Sequence, residues 1–235
     1  MISGVAFCPH PPVLVAELGP GTGAELALLR AACSTAIRRV TAGDVPLVLV
    51  GSAARSGQYG ASARGSLAGF GVPVEVDLGG SPSDGLPELP LSLTVGAWLV
   101  RAALGPGRGA LGFSVGPDFA GSGTAAALRG ATAAGEVAVL VLGDGSARRT
   151  LKAPGYVDAR AEPFDAAVSA ALRTGDSVAL ASLDADLGAE LLAAGVAAWQ
   201  AAGSLLGGHA YDAELLYCDD PYGVAYPVAV WTVRG

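Results

Sequence analysis

The pattern of apolar and polar positions alternates between short apolar runs and longer segments with helical spacing. Runs that are apolar throughout are typical of strands covered on both faces. The run at residues 46–50 is of this kind, and further strands are predicted at residues 2–7, 72–76, 110–115 and 137–142. Apolar residues three and four apart are typical of helices. This spacing occurs at residues 23–40, 91–104, 123–134 and 163–173, with alanine-rich helices between 177 and 204.

The last part of the chain predicts a β-hairpin. Apolar residues 213–217 and 224–233 are separated by the turn Asp219-Asp220-Pro221-Tyr222-Gly223, and Asp, Pro and Gly favour turns. The segment 51–71, rich in Gly, Ser and Ala, predicts a loop or a weak helix. Alternating strands and helices predict an α/β protein with three layers: a mostly parallel or mixed central sheet with helices on both faces. We expect a single domain over residues 1–235.

Composition excludes several classes of function. The net charge of −7 disfavours nucleic acid and anionic membranes as partners, because phosphate binding needs clustered Lys and Arg. No run approaches the ~18–20 apolar residues of a membrane span. Two histidines and three cysteines are too few for a three-histidine or a four-cysteine zinc site. Cys8, Cys33 and Cys218 lie far apart, which predicts reduced thiols and a cytoplasmic protein.

Three segments follow predicted strands and are expected at one edge of the sheet. Ligands of open α/β sheets bind at the carboxyl ends of the strands, which here are residues 8–12, 51–53 and 143–146. In the first segment, His10 stands between prolines that fix the backbone. This arrangement suits a metal ligand or a general base, and a turn histidine bonded to backbone is the alternative interpretation.

The loop Gly143-Asp144-Gly145-Ser146 is a candidate for anion binding. Its backbone N–H groups, with Arg148 two residues beyond, could cradle a carboxylate or phosphate. Asp144, Ser146 and Arg148 are therefore candidate ligand-binding residues. An ordinary turn is the alternative. The glycine-rich run 19–23 lacks the spacing of a dinucleotide-binding loop and predicts a turn before a helix.

Potential metal ligands concentrate near the end of the chain. His209, Glu214 and Cys218 lie within ten positions of one another. Glu214 precedes an apolar run, in which a buried carboxylate would need a partner. These residues are candidate metal ligands, and an exposed outer strand is the simpler interpretation.

Several segments together resemble the class III extradiol ring-cleavage dioxygenase superfamily, which includes the catalytic B subunit of protocatechuate dioxygenase and the MEMO proteins. The segments that carry the resemblance are Cys8-Pro9-His10-Pro11-Pro12, Leu142-Gly143-Asp144-Gly145-Ser146, Ala161-Glu162-Pro163-Phe164-Asp165, Glu214-Leu215-Leu216-Tyr217 and Pro221-Tyr222-Gly223-Val224-Ala225-Tyr226. They follow the family's order over nearly the whole chain. The chain looks like a divergent bacterial member with a B-subunit-like domain.

The resemblance implies an incomplete catalytic site. Active members hold Fe(II) with two histidines and a glutamate, and a further histidine serves as acid and base. His10 matches the first metal histidine, and Glu214 is the counterpart of the glutamate. Ser52 stands near the place of the second metal histidine, and Ala147 near that of the acid/base histidine. Cys218 lies near the position at which MEMO proteins carry a cysteine. No catalytic residue is therefore assigned.

Three functions follow from these expectations. The first is a protein that keeps the fold without ring cleavage and binds a small aromatic or carboxylate ligand or acts as a scaffold. The second is an active oxidoreductase acting on a catechol-like aromatic, with Fe(II) or Zn held by His10, Glu214 and either His209 or Cys218. The third is a hydrolase that uses the Asp144 loop. The helix at residues 91–104 and the alanine-rich helices pack either between the copies of a homodimer or within one chain.

Overall fold

The computed structural model describes residues 1–18, 24–81 and 88–234. The glycine-rich run 19–23 and part of the loop before residue 90 lie outside the described residues. The strands are β1 (Ile2–Cys8), β2 (Leu47–Ser52), β3 (Gly57–Tyr59), β4 (Arg64–Ser66), β5 (Glu75–Asp77), β6 (Ala110–Val115), β7 (Val137–Leu142), β8 (Tyr211–Asp219) and β9 (Tyr226–Val233). The helices are α1 (Ala24–Val40), α2 (Leu91–Leu104), α3 (Gly123–Ala133), α4 (Ala161–Thr174), α5 (Ser177–Ala181), α6 (Ala185–Glu190) and α7 (Val196–Leu206).

Seven strands form one mixed sheet in the order β3-β6-β2-β7-β1-β9-β8. The four central strands, β6, β2, β7 and β1, are parallel to their neighbours in that group. Strand β3 pairs antiparallel with β6 at one edge, and the hairpin β9-β8 continues the sheet from β1 at the other. Both the mixed sheet and the C-terminal hairpin confirm the fold predicted from the sequence.

Helices cover the sheet on both faces and form two apolar cores. Helices α1 and α2 pack on one face, against residues such as Leu140 and Val230. On the other face, α3, α4, α5 and α7 contribute to a core that contains Val141 and Trp231. Strand β7 is buried along its whole length because alternate side chains enter the two cores. The three-layer arrangement follows directly from these two apolar faces.

The segment between β2 and α2 differs from its prediction. The residues predicted as a loop or weak helix contain β3, β4 and a short 3-10 turn at Ala68–Phe70. The strand predicted at residues 72–76 is the three-residue β5, which pairs with β4 in a separate two-stranded ribbon. These strands are short and rich in Gly and polar residues, so they lack the apolar pattern of the central strands. They are defined by their pairing partners instead.

Two further predictions concern burial and packing. Cys8 and Cys33 are not far apart in space: their buried thiols are hydrogen-bonded, because α1 packs directly on β1. Helix α2 is buried within the chain along most of its length, which is one of the two arrangements expected for it. Within the three described stretches, no helix has the length and apolar character needed to cross a membrane.

Candidate functional site

His10 and Asp144 lie together at the carboxyl ends of the adjacent parallel strands β1 and β7. The backbone N–H of His10 donates a hydrogen bond to Oδ1 of Asp144 at 2.7 Å. The Nδ1 atom of the imidazole lies 3.7 Å from the same oxygen. Nδ1 is buried and makes no hydrogen bond within the described part of the chain. The prolines on both sides of His10 restrict its backbone, so the pair is held in a defined geometry.

Burial dominates the electrostatics of this pair. Loss of water raises the pKa of the Asp144 carboxyl above its usual value, and the neighbouring His10 partly offsets the rise. Burial also raises the pKa of Tyr226, and the nearby Asp144 adds to that rise. Burial thus raises the pKa of both Asp144 and Tyr226, with His10 acting against the rise at Asp144.

The start of α7 closes the sheet edge between Asp144 and Ser52. The N–H of Gly195 donates to the carbonyl oxygen of Asp144 at 2.8 Å. The N–H of Ala198 donates to Oγ of Ser52 at 3.2 Å. Two residues at the ends of neighbouring strands β7 and β2 are thus bonded to one helical turn. Ser52, near which the sequence resemblance predicted the second metal histidine to stand, is engaged in packing this helix.

Two facing glycines allow α7 to approach β7 closely. A Cβ atom added at Gly143 would lie 2.8 Å from Cα of Gly195 and 2.6 Å from Nε1 of Trp199. Real Cβ atoms essentially never come so close, so neither glycine position has room for a side chain. Trp199 is fully buried at this contact. Because neither glycine has a side chain, the start of α7 packs directly against the end of β7.

The Asp144 loop does not offer the free N–H groups that the sequence predicts. The N–H groups of Gly143, Gly145 and Ser146 donate to the carbonyl of Cys8, to the carbonyl of Ala225 and to a buried carboxylate, respectively. Each donor meets an acceptor of the protein because β9 and α4 pack against the loop. A cradle for phosphate or carboxylate is therefore not available at these groups.

Ser146 and Arg148 have different surroundings. Ser146 is fully buried, and both its N–H and its hydroxyl donate to the carboxylate of Asp165. Burial raises the pKa of Asp165, and the hydrogen bonds from Ser146 partly offset that rise. Arg148 is half-buried, and its Nε makes no hydrogen bond within the described residues. Ser146 is a structural residue here, whereas Arg148 keeps an unengaged donor.

Glu214 and Cys218 lie on opposite faces of the sheet. Glu214 is exposed on β8 and forms an ion pair with Arg39 of α1, with 2.6 Å between Nη1 and Oε2. Cys218 contacts the hydroxyl of Ser169 on α4 at 3.1 Å. A register irregularity between Leu215 and Tyr217 inserts one residue and turns the later part of β8 over. The two side chains therefore do not face a common site.

The predicted metal ligands are not brought together. Glu214 lies opposite Val230 of β9, and Val230 lies opposite Ala6 of β1. Glu214 is therefore two strand spacings, or about 10 Å, from β1. His209 lines a pocket with Ile2, at the amino end of β1, whereas His10 follows its carboxyl end. In the described parts of the chain, no three His, Cys, Asp or Glu residues are grouped so that they could hold a metal ion. The donor set present does not fit the iron site of the resembling family.

A large cavity borders the closed edge on the side of α7. Its volume is about 740 Å³, and it lies where β2 and β6 end, beneath α5, α6 and α7. Its wall contains Ser52, Phe119, Val196 and many alanines, and among the lining residues that the structure describes Asp186 is the one ionisable side chain. Small side chains from three short helices leave this space unfilled. The cavity lies where ligands bind in open α/β sheets.

Sequence reasoning missed the residues that close the site. Gly195 lies in an alanine-rich stretch, where an isolated glycine gives no specific signal of close backbone approach. Asp165 is part of the family-like run after Pro163, but its bond to Ser146 depends on how α4 docks. Neither contact is visible in the local pattern.

Comparisons with known proteins bear on the fold alone. No protein-family model matches the sequence, and no curated protein matches it. The structure is similar to the crystal structure of an uncharacterised protein, JW3007, from Escherichia coli K12, with a TM-score of 0.52. The two share 12% sequence identity, and the match covers 98% of this chain and 99% of the other. At this level of identity the similarity concerns the arrangement of strands and helices.

Proposed function

We propose that this chain is a divergent relative of the class III extradiol dioxygenases that no longer cleaves aromatic rings and binds a small, uncharged aromatic molecule. The resemblance of the sequence motifs supports the relationship. The loss of ring cleavage is supported mainly by the hydrogen bonds that the start of α7 makes to both Ser52 and Asp144. A helix occupies the sheet edge at which the family assembles its iron site.

The donor set supports the loss of ring cleavage. Facial coordination of Fe(II) with open positions for catechol and O2 needs three protein donors. Among the described residues, no third donor joins His10 and Asp144. Ser52 accepts a backbone hydrogen bond, and Ala147 has no ionisable group. Glu214 is engaged by Arg39 on an outer strand. Ala147 therefore supplies no acid or base at the place expected for the family's acid/base histidine.

The cavity beneath α7 supports the choice of ligand. A volume of about 740 Å³ falls within the range of about 300–1,000 Å³ that small-molecule sites have. Its walls are mainly alanine with Val196 and Phe119, so binding draws on the removal of apolar surface from water. Asp186 repels an anion at the rim. An uncharged aromatic molecule therefore fits better than a carboxylate.

One observation favours the second candidate, a metal-dependent oxidoreductase. Nδ1 of His10 is buried, without a hydrogen-bond partner among the described residues, and 3.7 Å from a carboxylate oxygen. An unpaired buried imidazole nitrogen is energetically costly. A metal held by His10 and Asp144 would remove that cost, with further ligands from solvent or substrate.

Two measurements separate these candidates. The protein is purified anaerobically, its iron and zinc are quantified with and without His10→Ala, and oxygen uptake is recorded with catechol after addition of Fe(II). We expect substoichiometric metal, unchanged by the substitution, and no oxygen uptake above the buffer rate. Stoichiometric metal that His10→Ala removes, together with catechol-dependent oxygen uptake, would establish the oxidoreductase and refute our proposal.

Ligand binding is tested by calorimetry with 2-naphthol. Ala197→Phe places a ring in the cavity and is expected to abolish binding, because Ala197 lines the wall. Ala102→Phe adds the same ring to an exposed position on α2 and should leave binding unchanged. Equal binding by both variants, or no binding by the wild-type protein, contradicts the assignment of the cavity.

A further inference from the structure

A second pocket lies at the amino end of β1, whereas His10 follows the carboxyl end of the same strand. It is formed where the beginning of β1, the end of β9 and the beginning of β8 meet α3 and α7. Its volume is about 200 Å³. Ile2, Leu205, Tyr211 and Val233 provide a mainly apolar wall. The pocket is separate from the cavity beneath α7 and shares no lining residue with it.

Two basic side chains line this pocket. Arg129 of α3 and His209, which precedes β8, are both exposed, and neither side chain has a hydrogen bond or ion pair in the described residues. The ring of His209 stands edge-on to Tyr211, with 6.5 Å between the ring centroids and 70° between the planes. Two side chains with unengaged nitrogen donors thus line one mainly apolar pocket.

Acidic residues do not neutralise this charge. None of the described lining residues is Asp or Glu. Asp212 follows Tyr211 along β8, but its carboxylate is bonded to Arg234 at 2.6 Å. Although the chain has a net charge of −7, the described lining of this pocket contains two basic side chains and no acidic one. Its field favours a negatively charged ligand.

The size and lining of the pocket define the class of anion. A guanidinium binds a carboxylate through two parallel N–H···O bonds. Met1 and Thr132 also line the pocket, but the Met1 ammonium donates to the carbonyls of Thr132 and Gly135, and the Thr132 hydroxyl donates to carbonyls within α3. Because these donors are already engaged, burying the more strongly charged phosphate with its remaining oxygens unpaired would carry a desolvation penalty. A volume of about 200 Å³ holds one ring with a short substituent. The combination fits a molecule with an apolar body and one carboxylate.

We propose that the pocket between Arg129, His209 and Tyr211 is a binding site for a small aromatic or branched apolar monocarboxylate. The carboxylate pairs with Arg129 and accepts a hydrogen bond from His209. The apolar body packs on Tyr211 and Val233. The site is independent of the ring-cleavage question and of the cavity beneath α7.

The test uses calorimetry on the full chain with benzoate, and with benzamide as its uncharged analogue of the same shape. Benzoate is expected to bind more tightly than benzamide. Arg129→Gln should weaken benzoate binding about tenfold or more, which corresponds to about 1.4 kcal/mol. Ala133→Trp, which fills the pocket from α3, should abolish it. Arg38→Gln removes an exposed arginine from α1 and serves as the matched control, with benzoate binding unchanged.

Location and fold are checked with the same variants. Arg129 and Ala133 are exposed, so thermal melting should show both variants folded. Ala197→Phe should leave benzoate binding intact, because that residue belongs to the other cavity. Benzoate binding that persists in Arg129→Gln or Ala133→Trp, that is lost in Ala197→Phe, or that benzamide equals overturns the proposal, as does an absence of benzoate binding.

Discussion

Gly143→Ala tests whether close packing of α7 on β7 closes the edge of the sheet. The new Cβ would stand 2.6 Å from Nε1 of Trp199 and 2.8 Å from Cα of Gly195. Both neighbours are held in place: Trp199 is fully buried, and Gly195 is bonded to Asp144. The contact can be relieved only if the first turn of α7 moves away from the sheet.

The expected loss of stability follows from these contacts. Overpacking of a filled interior costs about 1–3 kcal/mol, and loss of the Gly195–Asp144 hydrogen bond adds about 1 kcal/mol. We expect the free energy of unfolding to fall by about 3 kcal/mol. For a domain of this size, that corresponds to a decrease of about 6–12 °C in Tm. Urea unfolding followed by tryptophan fluorescence measures the change, and the fluorescence of Trp199 should shift as its packing loosens.

Gly130→Ala is the matched control for this substitution. Gly130 lies on the exposed side of α3, and a Cβ there would meet no atom within 4 Å. The same chemical change should therefore stabilise the protein by about 0.5–1 kcal/mol, because alanine favours a helix over glycine. If Gly143→Ala is as stable as the wild-type protein, the packing argument for the closed edge fails.

Three further predictions concern ionisable groups. Burial raises the pKa of Asp144, so the folded state holds the carboxyl proton more tightly than the unfolded state, in which the pKa is 3.8. The free energy of unfolding should therefore decrease as pH rises above 3.8 through the raised pKa. Asp144→Asn should remove this part of the decrease in urea titrations at several pH values. Glu214→Gln should change the free energy of unfolding by less than about 1 kcal/mol, since its ion pair with Arg39 is exposed; a larger loss, or a loss of bound metal, would show that this carboxylate has another role. A thiol reagent should label only Cys218 in the native protein and all three cysteines after denaturation, because Cys8 and its hydrogen-bonded neighbour are buried; rapid native labelling of more than one thiol would contradict the burial.

The elements with strong local patterns were predicted closely. Strand β7 has the predicted bounds because six consecutive apolar residues, three of them β-branched, are typical of a strand buried on both faces. Helix α2 also has its predicted bounds, since its helical pattern begins after Pro90 and ends at Gly105. The segments after β1, β2 and β7 do lie at one sheet edge, as parallel strands require. His10 and Asp144 meet for this reason.

Other features depend on contacts between residues distant in sequence. Strand β3 exists because the edge of β6 offers hydrogen bonds to Gly57–Tyr59. Glu214 and Cys218 share a face in regular alternation, and only the irregularity in β8 turns them apart. Arg129 and His209 of the second pocket lie eighty positions apart in the sequence, so only the folded chain brings them together.

The sequence by itself determined the layers of the fold and the loops that form the site edge, because apolar periodicity and turn residues act locally. Only the tertiary structure decided that this edge is closed. That outcome depends on Gly143 and Gly195 meeting without side chains, at a separation set by how α7 docks on β7. Docking distance and strand register depend on the packing of the whole chain, so they determine which candidate residues share a site.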